Sequence, residues 1–132
     1  MMYAPLYARA MATPAVVALL TDGKGSIRLW PFGLRPGAKD VNPPPIKLPY
    51  VTWQNIGGDP NNNVSDRPDA DHFSIQVNVW AATSVQLWTV TTALRDIMEV
   101  DGCTIVRWGD TEIDAQTKAF GYDFDADWIT YR

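Results

Sequence analysis

Three carboxylates, Asp123, Asp125 and Asp127, alternate with Tyr122, Phe124, Ala126 and Trp128 in the segment GYDFDADW near the end of the chain. Residues two apart share one face of a strand, so a strand here presents all three acids together. Three kinds of chemistry suit such a row: a hard-cation site, a catalytic acid, or a deliberately negative surface. Spacing weighs against the first. At about 3.3 Å of rise per residue, the outer two stand roughly 13 Å apart and neighbours roughly 7 Å apart, too far for one ion to bind all three. The glycine and closing glutamate of an EF-hand loop are absent as well. The row is therefore expected to be an acidic strand face with Tyr122, Phe124 and Trp128 anchored behind it, not a catalytic or metal site.

The remaining chemistry-bearing residues are sparse. Asp69, Asp71 and His72 in DADH have the residue types of a facial metal triad. There is only one histidine in the chain, and a solvent-exposed loop edge is the expected setting. Cys103 opens the apolar run CTIVRW and is expected to be a buried, inert thiol. A lone cysteine excludes an internal disulfide and a cysteine-based zinc cage, and fits a reducing compartment. DGKGS at 22–26 lacks the spacing of a phosphate-cradling loop and is expected to be a turn. No nucleophile elbow or zinc motif is present. No catalytic, cofactor-binding or metal-ligating residue is assigned, no cofactor is expected, and the chain is not expected to be an enzyme.

The elements that must carry these residues follow from periodicity. Leu6, Ala10, Val16, Val17 and Leu20 fall near a 3.6-residue period. Thr13 as N-cap and Pro14 at the first helical position place the main helix at Pro14 to about Leu20, after a looser turn. Strands are expected at 26–33, 50–58 and 72–81. The last is the clearest, with Phe73, Ile75, Val77 and Val79 opposite Ser74, Gln76, Asn78 and Trp80. Thr83 or Ser84 caps a helix over 85–100 whose apolar stripe is Leu87, Val90, Leu94, Ile97 and Met98. Strands at 103–108 and 117–132 flank a turn region, GDTEIDAQ. The order α-β-β-β-α-β-β predicts an α+β fold: a mainly antiparallel sheet with two helices packed on one face. Long loops are expected at about 33–49, which is proline-rich, and 57–71, which is mostly polar.

Composition sets the outer limits. With 132 residues, 46% apolar and 20% charged, the chain is expected to be one domain with a modest core. Its start lacks the basic and apolar regions of a signal peptide, and no apolar run is long enough for a membrane helix, so no membrane partner is expected. Net charge is −4, unevenly spread: residues 1–58 hold six Lys/Arg against two acids, and residues 59–132 hold five against thirteen. That split is consistent with copies that meet basic surface to acidic surface. It argues against a nucleic-acid reader held by a basic stripe.

Leu48-Pro49-Tyr50-Val51, then a polar loop, then Phe73 to Ala81, then a helix containing Ala93, Leu94, Arg95 and Asp96, together form a pattern over roughly residues 14–100. This pattern resembles the tail completion (tail terminator, or tail-to-head joining) proteins of long-tailed phages. The chain departs from the usual pattern at the helix start, ATSVQLW, and in the longer loop GLRPGAKDVNPPPIK. The resemblance implies a structural virion protein: a homo-oligomeric ring, a hexamer in that family, that stops growth of the tail tube and docks the head connector. Its implied partners are further copies of itself, the tail tube protein and a head–tail connector or stopper protein. DNA would pass the lumen without specific binding. The implied location is the head-proximal end of the tail in a virion assembled in the bacterial cytoplasm.

Under that reading Pro43, Pro44, Pro45, Asn61, Asn62, Trp53 and Trp80 are candidate inter-subunit or tube contacts. Trp53, Trp80 and Trp88 are taken as aromatics on exposed faces. Asp123, Asp125 and Asp127 become a candidate acidic lumen face, where negative charge repels phosphates. The alternatives are a head-side stopper or adaptor and, from another class, a small metal-dependent hydrolase or nuclease.

Overall fold

The computed structural model describes residues 3–21, 26–62, 66–100 and 102–132. Its elements in chain order are α1 (Leu6–Met11), α2 (Pro14–Leu20), β1 (Leu29–Trp30), β2 (Tyr50–Pro60), β3 (Ala70–Ala81), α3 (Ser84–Met98), β4 (Cys103–Ile113) and β5 (Phe120–Tyr131). The strands form one sheet in the order β1-β2-β3-β5-β4. All pairings are antiparallel except β1 with β2, which is parallel. The fold is α+β, as the periodicity predicts.

Alternation on β3 and β5 builds the core. Ile75, Val77 and Val79 on β3 and Phe124, Ala126 and Trp128 on β5 are buried, while the residues between them face the other way. Helix α3 lays Leu87, Val90, Leu94 and Met98 over this apolar side, and Leu6, Ala10, Val16 and Leu20 of α1 and α2 complete the core beside it. Thr83 caps α3: its hydroxyl accepts from the Gln86 amide at 3.1 Å, and the Gln86 side chain accepts from the Ala82 amide at 2.8 Å. The reciprocal pair satisfies donors that a helix start leaves unpaired.

Several boundaries differ from the sequence expectation. The segment before Pro14 is a helix of its own, so the described residues hold three helices; Thr13 caps α2 by its backbone conformation while its hydroxyl donates to the Arg9 carbonyl at 3.0 Å. The strand expected at 26–33 shrinks to Leu29–Trp30. Pro31 has no N–H to give, and Phe32 and Gly33 both adopt positive φ (65° and 68°), which turns the chain away. The 57–71 loop is shorter than expected because β2 runs through Pro60 and β3 begins at Ala70, with a bulge between Asn55 and Gly57 absorbing the offset. Likewise β4 continues through Gly109 and Asp110 to Ile113, where a turn region was expected, and its register shifts at two places. The final strand starts three residues late, at Phe120, after a turn in which Asp114 accepts from the Gln116 and Thr117 amides. Most of the DGKGS turn, Asp22 to Gly25, lies outside the described residues.

Candidate functional site

Helices lie on one side of the sheet; the other side is a polar surface. Across its middle, register places Thr52, Asn78 and Asp123 side by side, then Gln54, Gln76 and Asp125, then Ser74 and Asp127. The three aspartates of the C-terminal strand thus share this face, with Phe124 and Trp128 buried behind them and Tyr122 half-buried.

The carboxylates are not bare. Arg107 on β4 reaches across the strand pair: its Nε donates to Asp125 Oδ2 at 2.8 Å, and its Nη2 donates to Asp123 Oδ2. Asp123 Oδ1 also accepts from the Asp110 amide at 3.1 Å, inside the β4 bulge. Gly109 makes that approach possible, since a Cβ there would meet the Asp123 carboxylate at 2.5 Å. Asp127 accepts from the Ser74 hydroxyl at 2.8 Å and lies 3.5 Å from His72 Nε2. His72 Nδ1 in turn is 3.6 Å from Asp59. Arg107 thus pairs with two of the four carboxylates on this face, which outnumber its one guanidinium.

His72 belongs to β3, half-buried between Asp59 and Asp127, and is not at the exposed loop edge its sequence setting suggested. Its neighbours in DADH do not join it. Asp71 points away along the strand and is held by Arg132 through Nε at 3.0 Å and Nη2 at 2.8 Å. These hydrogen bonds lower the Asp71 carboxyl below its ordinary value. Among the described residues no group of three or more His, Cys, Asp or Glu is placed to hold a metal ion. Cys103 is buried against the core, paired in register with Trp128, and burial pushes its thiol up to about 11. A thiol so protonated is a poor nucleophile.

At the other end of the same face the surface becomes aromatic. Tyr50, Trp80 and Gly121 are in register across β2, β3 and β5, and Trp30 packs on Tyr50 with ring centres 5.8 Å apart. The proline-rich loop leads into this corner. Arg35 Nη1 donates to the Pro44 carbonyl at 2.8 Å, and Arg35, Pro45, Ile46 and Leu48 line a cleft with Tyr50, Thr117 and Ala119. Pro43, Pro44 and Pro45 are exposed, as are Asn61 and Asn62 beyond the end of β2. Trp80 is half-buried on the polar side. Trp53 is not on an exposed face: it is 8% exposed and faces the core, because its register partner Val77 does. Trp88 is 45% exposed, edge-on to Tyr122 at 4.9 Å.

Two features escaped the sequence reading. The Arg107 clamp depends on register across a bulge, and only the opposite charge signs on two late strands hint at it. The cluster of Trp88, Trp108 and Tyr122 beside α3 joins three elements far apart in sequence, with Trp108 stacked on Tyr122 at 6.2 Å.

Comparison with known proteins places the chain among the structural components of phage virions rather than the enzymes. It belongs to the family described as Tail completion protein gp17, whose model matches residues 4–131. Among solved structures, it is similar to a chain from the virion of a native gene transfer agent particle. That alignment has a TM-score of 0.54 at 15% identity and covers 96% of this chain and 92% of the other. At that identity the likeness is one of fold. No curated protein matches.

Proposed function

We propose that the chain is a tail terminator: copies close into a ring, six in number as the family resemblance implies, that caps the tail tube and joins it to the head connector. The uncovered polar face of the sheet carries this reading. Asp59, Asp123, Asp125 and Asp127 make it net negative, and Asp123, Asp125 and Asp127 are held by Arg107 and Ser74 instead of being open for a ligand. Turned toward the lumen, such a face repels phosphates and lets DNA slide.

The proline-rich loop, with Trp80 at its corner of the sheet, and Asn61–Asn62 at the opposite end of β2 are the candidate contacts to the tube or to neighbouring copies. Trp53 contributes by shaping the core under β1. Electron microscopy of purified tails, with the chain tagged, tests the placement. Density at the head-proximal end of the tube supports the terminator reading, and absence from purified particles overturns it.

A further inference from the structure

We infer that β4 of one copy adds to the free edge of β2 in the next, so that one antiparallel sheet continues from copy to copy. This deepens the ring reading above and rests on it.

Two edges of the sheet are open. β4 is an outermost strand whose one neighbour in the sheet is β5. On the other side β1 pairs only with Val51 and Thr52 of β2, and the Gly33 amide donates to the Trp53 carbonyl at 2.8 Å. From Gln54 onward β2 has no outer strand among the described residues. Such an edge presents unpaired amides and carbonyls, and proteins commonly guard it with lysine or proline. Neither stands in residues 54–59 or 103–108. The one cation there, Arg107, is committed to Asp123 and Asp125. Each stretch instead exposes an aliphatic side chain, Ile56 at 49% and Val106 at 53%.

The irregularity of the two edges selects a second copy as the partner. Register sets Gln54, Gln76, Asp125 and Arg107 in one row across the sheet, and Gly57, Ser74, Asp127 and Thr104 in another. From one row to the other the inner strands use three residues each, 74–76 and 125–127, whereas both outer strands use four, 54–57 and 104–107. The extra residues are the bulged Ile56 and Val106. A regular strand laid on either edge would fall out of register at the bulge. The β4 edge carries the same count as the β2 edge, so these two match without a further irregularity.

Strand sense agrees. Three antiparallel pairings, β2 with β3, β3 with β5 and β5 with β4, leave β4 antiparallel to β2. A neighbour related by rotation keeps that sense and turns the same polar face to the channel. Because the two edges differ, the contact is heterologous, the kind that closes into rings. Matched row to row, residues 54–57 oppose residues 107–104, which sets Ile56 against Ile105 with Val106 beside it.

Thiol cross-linking of the full chain reads this register without altering the apolar residues. Gly57→Cys and Thr104→Cys are made singly and together; a Cβ at Gly57 meets nothing within 4 Å, and Thr104 is exposed. Within one chain the two sites stand three strand spacings apart, roughly 14 Å, so a bis-thiol reagent shorter than that links only different copies. Treated alone and in purified tails, the double variant is expected to give a ladder of oligomers, and a mixture of the single variants to stop at dimers. Wild type, whose Cys103 is buried, is expected to give no product, and so is Gly57→Cys combined with Glu112→Cys at the far end of β4. Circular dichroism checks that the variants fold. Val106→Lys, at an exposed site, is expected to fold and to lose the ring. If wild type forms rings but the folded double variant gives no ladder, or Thr104→Cys links to itself, or Val106→Lys still closes rings, the inference fails and the ring reading stands. If wild type forms no ring either alone or on tails, both fail.

Discussion

The indole of Trp80 lies so close over Gly121 on the neighbouring strand that a Cβ at Gly121 would come 2.5 Å from the ring. Cross-strand pairs of an aromatic and a glycine let the ring lie on the backbone of the partner strand. Here the pair fixes the corner where the proline-rich loop, Tyr50 and the start of β5 meet. Gly121→Ala is expected to push the ring outward and cost about 1–3 kcal/mol, the usual range for overpacking. Chemical denaturation measures the loss, and a red-shifted tryptophan emission in the folded state reports the displaced indole. Unchanged stability would contradict the close packing.

Arg107 links two of the three aspartates, and Asp125 Oδ1 is buried with no partner among the described residues. Arg107→Ala leaves adjacent carboxylates facing each other and is expected to lower the unfolding midpoint. Arg107→Lys should restore only part of it, since an ammonium cannot reproduce the two-pronged geometry. Combining Arg107→Ala with Asp123→Asn and Asp125→Asn should recover more than either change alone, the non-additivity expected of one network. Calorimetry of wild type with Mg²⁺, Mn²⁺ and Ca²⁺ is expected to show no binding heat. Binding abolished by Asp123→Asn would reverse the reading of this face.

Acid should loosen the end of the chain first. Arg132 holds the Asp71 carboxyl below its ordinary value of 3.8, chiefly through hydrogen bonds. Asp114 is lowered by the Thr117 and Gln116 amides. For a carboxyl lowered in the folded state, the stabilisation is complete above the unfolded pKa and disappears as pH falls through the folded one. The thermal midpoint of wild type is thus expected to drop as pH falls below about 4. Asp71→Asn should start lower at neutral pH and lose less on acidification. An identical pH profile for the two proteins would contradict the pairing.

Deleting residues 36–45 removes exposed loop and no core residue. The shortened chain is expected to keep its circular dichroism spectrum and cooperative melt while tail assembly falls. An unchanged tail yield would remove the loop from the set of contacts.

Much of this was legible in advance because of periodicity. The two-residue repeat of β3 and β5 and the apolar stripe of α3 gave their places, their buried faces and the common side of the three aspartates. What sequence could not supply was register. Arg107 meets Asp123 and Asp125 only because β4 bulges between Ile105 and Arg107. Trp53 turned inward because β2 pairs it with the core-facing Val77, whereas its alternation with Thr52 and Gln54 says nothing about which side is buried. Local turn signals were misplaced where the chain hid them inside strands: Gly57 and Gly58 pair with Ser74 and Phe73 just past a bulge at Ile56, and Gly109-Asp110 is a bulge within β4, not a turn that ends it. The short β1 illustrates the reverse case, where Pro31 and the positive φ of Phe32 stopped a strand that alternation alone would extend.

The central claim is that this tail completion protein ends the tail tube as a ring. The most direct measurement is a reconstruction of purified tails or particles by electron microscopy at a resolution that traces the chain. The account predicts a single ring of copies at the head-proximal end of the tube, with Asp123, Asp125 and Asp127 facing the channel. Copies located elsewhere in the particle, or a ring whose channel is lined by α3 and not by the polar face of the sheet, would contradict it.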